Sequence, residues 1–396
     1  MGTLLGVHKL FIIFKENLMN TLTNLAADIY RAADTVGREV VGFIPSATVN
    51  AETARVAVND TVRSHSTRAA TAGDITAAMT IPEGTDQVVD SKTMTIDKAR
   101  SVQIPWTGEE IVSVNNGAGF ETIYGDQIAQ AMRTLTNEVE NDLANAAYQG
   151  ASRATGVAGT TPFASNMDLI AETTEILRVN GAPQNDGRMS LVLSNTAGTK
   201  LRNLAQLQKA NEAGNDTLLR QGILLDLQGC MLRESGQIGV HTAGTGTSYL
   251  LNDASSAVGD TTIAVDGGTG TVLAGDVITF AGTSDIYAVN TALSGGSLSI
   301  GTPGLLAAET DDDAITVGSS YTPNVLFHQG ALELAIRAPA TPDGDAAVDT
   351  MMIQDPHSGL VFEIRVYKGY RKAMFEVACA WGVKAWKSDN IAILMG

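Results

Sequence analysis

The stretch FETIYGDQIAQAMRTLTNEVENDLANAAYQ, Phe120 to Gln149, decides how the rest of the chain is read. Phe120, Ile123, Tyr124, Ile128, Met132, Leu135, Val139, Leu143, Ala146 and Ala147 recur at three- and four-residue spacing, so they share one face of a helix, and Gly150 ends the run. A helix of about thirty residues is roughly 45 Å long at 1.5 Å per residue. That is far beyond the average soluble helix, and it suits a beam that supports a core better than a carrier of reactive groups.

Upstream of the beam, Leu22, Leu25, Ala26, Ile29, Ala33, Val36 and Val40 predict an amphipathic helix over Leu22 to Val41, stopped by Gly42 and Pro45. The apolar run Leu4 to Phe14 carries His8 and Lys9 and is too short to span a bilayer. No small-residue cleavage site follows it directly, so it reads as a docked or frayed extension, with Met19 an alternative start to Met1. Thr53 to Gly84 is rich in Thr, Arg, Ala and Ser with weak periodicity, the pattern of an extended arm whose pairing partner lies elsewhere. Val88 to Trp106 alternates in two runs, Met94 and Ile96, then Val102, Ile104 and Trp106, which predicts a long two-stranded loop. An isolated hairpin is marginal in water, so Met94, Ile96, Arg100, Ile104 and Trp106 are expected to touch a neighbouring subunit.

Downstream, Asp168 to Val179 is predicted as a helix and Met189 to Leu193 as a buried strand. Asn195 or Thr196 would cap a further helix carrying Leu201, Leu204 and Leu207 and ending near Gly214. From Gly239 to Ser320, short β runs such as TTIAVDGG and LAGDVITFAG are punctuated by Gly, Asn and Asp. Core-like segments flank this region on both sides, so it reads as an inserted β module with its ends close together. Asn324 to Pro339 returns to helical spacing, Gly359 to Lys368 and Ala373 to Trp381 alternate as strands, and Ile391 to Met395 forms an apolar tail.

The whole chain has 396 residues, beyond the size at which one core stops growing, so several packed units are expected. Hydrophobic residues make up 44% and charged residues 17%, enough to build a core, and 40 glycines against 10 prolines favour turns and β structure. With 26 Lys plus Arg against 43 Asp plus Glu the net charge is −17. Counterion release therefore cannot drive tight nucleic-acid binding over the whole surface, and any contact with DNA is local and non-specific. Cys230 and Cys379 form neither a disulfide framework nor a CxxC pair, which favours a cytosolic place of assembly.

No reactive constellation stands out. His8, His65, His241, His328 and His357 lack any metal-ligand spacing, and His328 reads as structural. Cys379 lies in a strand-like apolar run, where a buried inert thiol is expected. Glu309, Asp311, Asp312 and Asp313 lack the alternating pattern of a calcium loop and read as a solvated turn. Asp266-Gly267-Gly268 and Asp343-Gly344-Asp345 supply turn geometry. Glu109 and Glu110, taken as strand neighbours, point to opposite faces and cannot share a proton. Catalytic, cofactor-binding and metal residues are accordingly assigned to none.

The C-terminal residues GLVFEIRVYKGYRKAMFEVACAWGVKAWKSDNIAILMG, Gly359 to Gly396, resemble the closing strands of coat proteins of short-tailed, scaffold-dependent tailed phages. NVLFHQGALELAIRAP, Asn324 to Pro339, is similar to that family's preceding segment, and GDVITFAG, Gly275 to Gly282, resembles a run in its inserted β domain. The resemblance implies an α+β fold of the Hong Kong ninety-seven capsid type. It implies an N-terminal helix and arm at 1–60 and an extended β loop region at 61–115. A peripheral domain with the long spine helix would take 116–160 and 346–385, an axial domain 161–238 and 321–345, the inserted β domain 239–320 and a tail 386–396. The implied function is a non-enzymatic major capsid protein forming the icosahedral virion shell around double-stranded DNA, assembled in the host cytoplasm. Its implied partners are itself, as hexamers and pentamers, with scaffolding, portal and decoration proteins; no membrane and no cofactor are implied. An encapsulin-like nanocompartment shell, a β-rich surface adhesin and a hydrolase are the alternatives. The front half carries no matching motif.

Overall fold

The computed structural model describes residues 37–52, 54–67, 74–77, 79–81, 89–115, 120–184, 186–208, 226–253 and 256–396. The expected extension at Leu4 to Phe14 and nearly all of the expected helix at Leu22 to Val41 lie outside them; residues 37–41 are not helical. The first elements are β1 (Thr48–Ala51), β2 (Thr61–Thr67), β3 (Val89–Thr95), β4 (Lys98–Thr107), α1 (Gly108–Asn115), α2 (Phe120–Gln149) and β5 (Arg153–Gly156). Next come α3 (Asp168–Val179), β6 (Met189–Ser194), α4 (Asn195–Arg202), α5 (Ala205–Gln208) and β7 (Met231–Ser235). Six short strands follow: β8 (Tyr249–Leu251), β9 (Thr262–Asp266), β10 (Val277–Phe280), β11 (Ile286–Ser294), β12 (Ser297–Ile300) and β13 (Ala314–Val317). The chain closes with β14 (Pro323–His328), β15 (Leu332–Arg337), β16 (Ala347–Gln354), β17 (Val361–Gly369), β18 (Lys372–Ala385) and β19 (Ile391–Met395).

α2 spans the expected residues, and Ile128, Met132, Leu135, Val139, Leu143 and Ala147 on its apolar stripe are buried. The stripe lies on a six-stranded sheet of order β1-β15-β18-β17-β16, with β4 along the other edge of β18. Alternation along β18 decides what meets what, because successive side chains point to opposite faces. Val377, Cys379 and Trp381 join the core under α2, and the Trp381 indole donates to Asp142 of the helix at 2.9 Å. Ala380 faces the other way, into a smaller cluster with Met94, Ile96 and Ala335. Beside it Gly382 has no room for a side chain, since a Cβ there would sit 2.1 Å from the carbonyl oxygen of Thr95. β15 and β17 alternate likewise: Leu332, Leu334, Ile336, Phe362 and Ile364 belong to the core under α2, while Glu333, Arg337 and Glu363 make the polar contacts of the opposite face.

Residues 324–339 are not helical. They form two fully buried strands, β14 and β15, joined by a 3-10 turn at Gln329–Ala331. Strands buried on both faces read as nearly continuous apolar runs, so spacing alone could not separate them from a helix. β14 enters a second sheet, where it pairs with β6 and β19, while β15 pairs with β18 and β1. The apolar tail is β19, an interior strand between parallel β5 and antiparallel β14. Strand pairing thus cuts across the expected domain limits: Leu332–Arg337 joins the sheet of 346–385, and 386–396 supplies a core strand.

In the 239–320 region, β10-β13-β8-β9-β12-β11 pair in turn and β11 returns to β10, closing a six-stranded ring. Its interior holds Leu251, Ile263, Ile278, Phe280, Tyr287 and Leu298. Closure leaves no free edge around the ring, which stabilises a small β unit. The expected proximity of its ends is present: His241 and Tyr321 exchange backbone hydrogen bonds at 2.8 and 3.2 Å. β11 also pairs with β5, tying the ring to the second sheet.

One capping expectation and one strand expectation change. Ser194, the last strand residue, caps α4 by accepting the Ala197 N–H, where Asn195 or Thr196 was expected. Glu109 and Glu110 lie in helix α1, not on a strand. The Glu110 carboxylate accepts the Thr107 N–H at 2.8 Å and the Glu110 N–H donates to the Thr107 hydroxyl at 3.3 Å. This reciprocal pair is a capping box, which sequence alone signals as T-x-x-E.

Candidate assembly site

The arm is built onto the body from residue 38 onward. Gly42, Phe43 and Ile44 present three successive backbone N–H groups to the Glu140 carboxylate of α2, at 2.6, 2.8 and 3.0 Å. Glu140 is fully buried, and the three donors supply what water no longer can. One turn earlier on the same helix face Asn137 donates to Glu39 at 2.9 Å, and two turns earlier Arg133 forms an ion pair with it. The Arg133 guanidinium is the main reason the Glu39 carboxyl is lowered to about 2; burial opposes this and Asn137 assists it. Phe43 then stacks on Phe327, with ring centroids 5.9 Å apart, and Gly42 lacks space for a Cβ, which would lie 2.7 Å from the Glu234 carbonyl oxygen.

Beyond this latch the arm extends the six-stranded sheet along its β15 edge. β1 runs parallel to β15. The Asn50 amide donates to Glu333 at 3.1 Å, Arg337 donates to the Asn50 side-chain oxygen at 2.8 Å, and Arg55 forms an ion pair with Glu363. β2 then pairs antiparallel with β3, from Thr61↔Thr95 to Thr67↔Val89.

This pairing corrects the expected two-stranded loop. β3 and β4 do not pair with each other: the chain changes layers at Ile96 and Asp97, and β4 hydrogen-bonds along β18 from Thr107↔Lys372 to Lys98↔Trp381. The physical reason is that the edge of β18 not taken by β17 and β15 pairs with β4, while the apolar patch around Ala335 and Ala380 receives Met94 and Ile96. The expected contact residues are consequently relocated. Met94 and Ile96 are buried in the cluster over Ala380, Ile104 and Trp106 in the core under α2, and Arg100 pairs with Glu138 at 3.0 Å. Four of the five are spent inside their own chain. The most exposed large apolar side chains of the described residues lie between β2 and β3, where Ile75, Met79 and Ile81 are essentially fully exposed.

A shallow cleft of about 370 Å³ opens beside β4 and α2, lined by Val102, Ile104, Ile123, Gln127 and Ala131. Among the described residues, no three His, Cys, Asp or Glu side chains gather where a metal ion could bind, and no helix is long and apolar enough to cross a membrane. His328 is structural as expected: its Nδ1 accepts the Gly330 N–H at 3.1 Å and its Nε2 meets Asp186 at 2.7 Å. Burial pushes the Cys379 thiol far above its usual range.

Sequence reading missed Glu140, Arg133 and Asn137. The available signal was a carboxylate inside the apolar stripe: Glu140 falls between Val139 and Leu143 and buries with them, which a charged residue rarely does unless partnered.

No protein-family model matches the sequence, and no curated protein matches it. Solved structures to which the chain is similar include the capsid of the cyanophage P-SCSP1u, 10% identical over 91% of this chain and 89% of that one, with a TM-score of 0.48. Another is Mycobacterium phage Che8, 16% identical over 85% and 84%, with a TM-score of 0.45. A third is the capsid of Ralstonia phage GP4, 11% identical over 91% and 92%, with a TM-score of 0.45.

Proposed function

We propose that this chain is the major capsid protein of a tailed bacteriophage, a subunit that associates with itself into the icosahedral head shell around double-stranded DNA. The observation that carries the reading is the uncovered apolar tip. Ile75, Met79 and Ile81 stand almost wholly in solvent within one seven-residue stretch, more exposed than the other large apolar side chains of the described residues, and a second subunit is the natural cover. The resemblance of Gly359 to Gly396 and of Asn324 to Pro339 to tailed-phage coat proteins supports the same reading, and so does the build of the molecule: a 30-residue helix laid on a sheet, strapped by an arm from the other side.

On this reading 61–115 is the extended loop region, α2 the spine helix of the peripheral domain, 161–238 with Pro323–His328 the axial domain, Leu332–Arg337 a strand of the peripheral sheet, and the six-stranded ring the inserted domain. Hexamers and pentamers form the shell, a scaffolding protein guides assembly, and portal and decoration proteins complete the head. DNA is a neighbour without specific contacts, as the charge of −17 requires. The role is structural, not enzymatic. Sedimentation velocity of the purified chain, with and without the product of the adjacent scaffolding gene, tests the proposal. Large uniform particles are expected, and a chain that stays monomeric under both conditions contradicts it.

A further inference from the structure

Charge of opposite sign gathers beyond the two ends of α2. At the N-terminal end of the helix, the Tyr124 and Phe375 rings pack with centroids 4.0 Å apart, and β18 leads back from there to its turn with β17. That turn reads Lys368, Gly369, Tyr370, Arg371, Lys372, all exposed, with the Arg371 guanidinium 5.8 Å from the Tyr370 ring. Three cations and a 90% exposed tyrosine thus project from an acidic chain. Glu110 of the same subunit lies within Coulombic reach of Lys372.

At the other end of α2, the Tyr148 ring packs against His241 at the base of the six-stranded ring, with centroids 5.3 Å apart. Residues 239–320 contain nine Asp and Glu and neither Lys nor Arg. β10 and β11 face the body, since β11 pairs with β5 and contacts α2. β8 and β9 lie across the ring from them, flanked by β13. Asp266, Asp311 and Asp312 are exposed on that outer side: Asp266 is opposite Leu250, and the Asp312 N–H donates to Leu251 at 3.0 Å. Asp285, nearer the body, takes Arg153 from outside the ring at 3.4 Å, so the ring already draws on a cation from elsewhere.

Tyr124 and Tyr148 are 24 positions apart on one helix, or roughly 36 Å at 1.5 Å per residue, so the basic turn and the acidic side cannot meet within one subunit. We propose that they meet between subunits. The basic turn Lys368–Lys372 of one copy docks on the acidic outer side of the six-stranded ring of a second copy, a head-to-tail contact made by opposite ends of the same molecule. A contact of this kind joins different surfaces on the two partners and repeats into rings or open arrays, as a shell requires. It also lowers the repulsion between subunits that each carry a charge of −17. The inference rests on the self-assembly reading.

Two variants and their combination test it, all in exposed positions. Lys368→Glu with Arg371→Glu and Lys372→Glu, and separately Asp266→Lys with Asp311→Lys and Asp312→Lys, are each expected to slow assembly, read by light scattering, by roughly tenfold at low salt and less at high salt. A chain carrying all six substitutions restores the match and should assemble at the wild-type rate. Unchanged assembly in both triple variants, or no recovery in the sixfold chain, overturns the inference and leaves the proposed function standing. The inference is also overturned if the turn variant assembles normally and loses affinity for a short double-stranded DNA fragment, which would make the turn a DNA contact. A wild-type chain that never assembles removes both readings together.

Discussion

The Glu140 carboxylate accepts the backbone N–H of Phe43 at 2.8 Å, across 97 residues of sequence, and binds the adjoining amides of Gly42 and Ile44 as well. This single side chain fixes where the arm joins the spine helix. Glu140→Ala leaves three buried donors unpaired and is expected to cost about 3–5 kcal/mol, measured by chemical denaturation. Glu140→Gln keeps one acceptor oxygen and should cost roughly half as much. Stability equal to wild type in Glu140→Ala would show that the arm is held by other contacts.

Glu39 makes the latch sensitive to acid. Its folded pKa, about 2, lies below the usual value of 4.5, so its contribution is complete above pH 4.5 and is lost as pH falls from there toward 2. The stability difference between wild type and Glu39→Gln, followed by thermal melts, should therefore be constant at neutral pH and shrink through that window. A difference independent of pH from 6 to about 2.5 would contradict the ion pair with Arg133.

Gly382 marks the closest approach of two layers. Gly382→Ala would place a methyl 2.1 Å from the Thr95 carbonyl oxygen and must displace β3, at a cost of about 1–3 kcal/mol. Calorimetry reads this directly, and Gly369→Ala, at an open position of the same sheet, is the control.

Both thiols are closed to solvent. Cys230 and Cys379 are buried, and desolvation raises both pKa values, so the folded chain should resist a thiol-specific maleimide and label at two sites only after denaturation. Rapid labelling of either cysteine in the native state would place it outside the core.

Much of the fold could be read from residue order. The stripe from Phe120 was enough for α2, because a single period sustained for eight turns has no competing explanation. The clustering of Gly and Asp marked the six-stranded ring, and period-two alternation marked β17 and β18. What escaped has a common cause: contacts between residues far apart in sequence. Asn324 to Pro339 read as helical because β14, buried on both faces, shows no alternation and the turn at Gln329–Ala331 brings the apolar positions of β15 into step with helical spacing. Met94 and Trp106 read as subunit contacts because nothing local shows that Ala380 and the core under α2 cover them. Glu140 went unread because its partners are backbone amides, which no residue type announces.

The uncovered tip carries the assembly claim. Ile75→Ser, Met79→Ser and Ile81→Ser together should leave the melting temperature within a few degrees of wild type, since these side chains bury nothing in the isolated chain, and should sharply reduce particle yield. Normal yield would remove the tip from the interface.

Cryo-electron microscopy of particles formed by the purified chain addresses the central claim most directly. The expected result is a closed icosahedral shell in which the segment around Ile75 and Ile81 of each subunit lies against a neighbouring copy; a chain that forms no closed particle, or shells in which that segment projects into solvent, contradicts it.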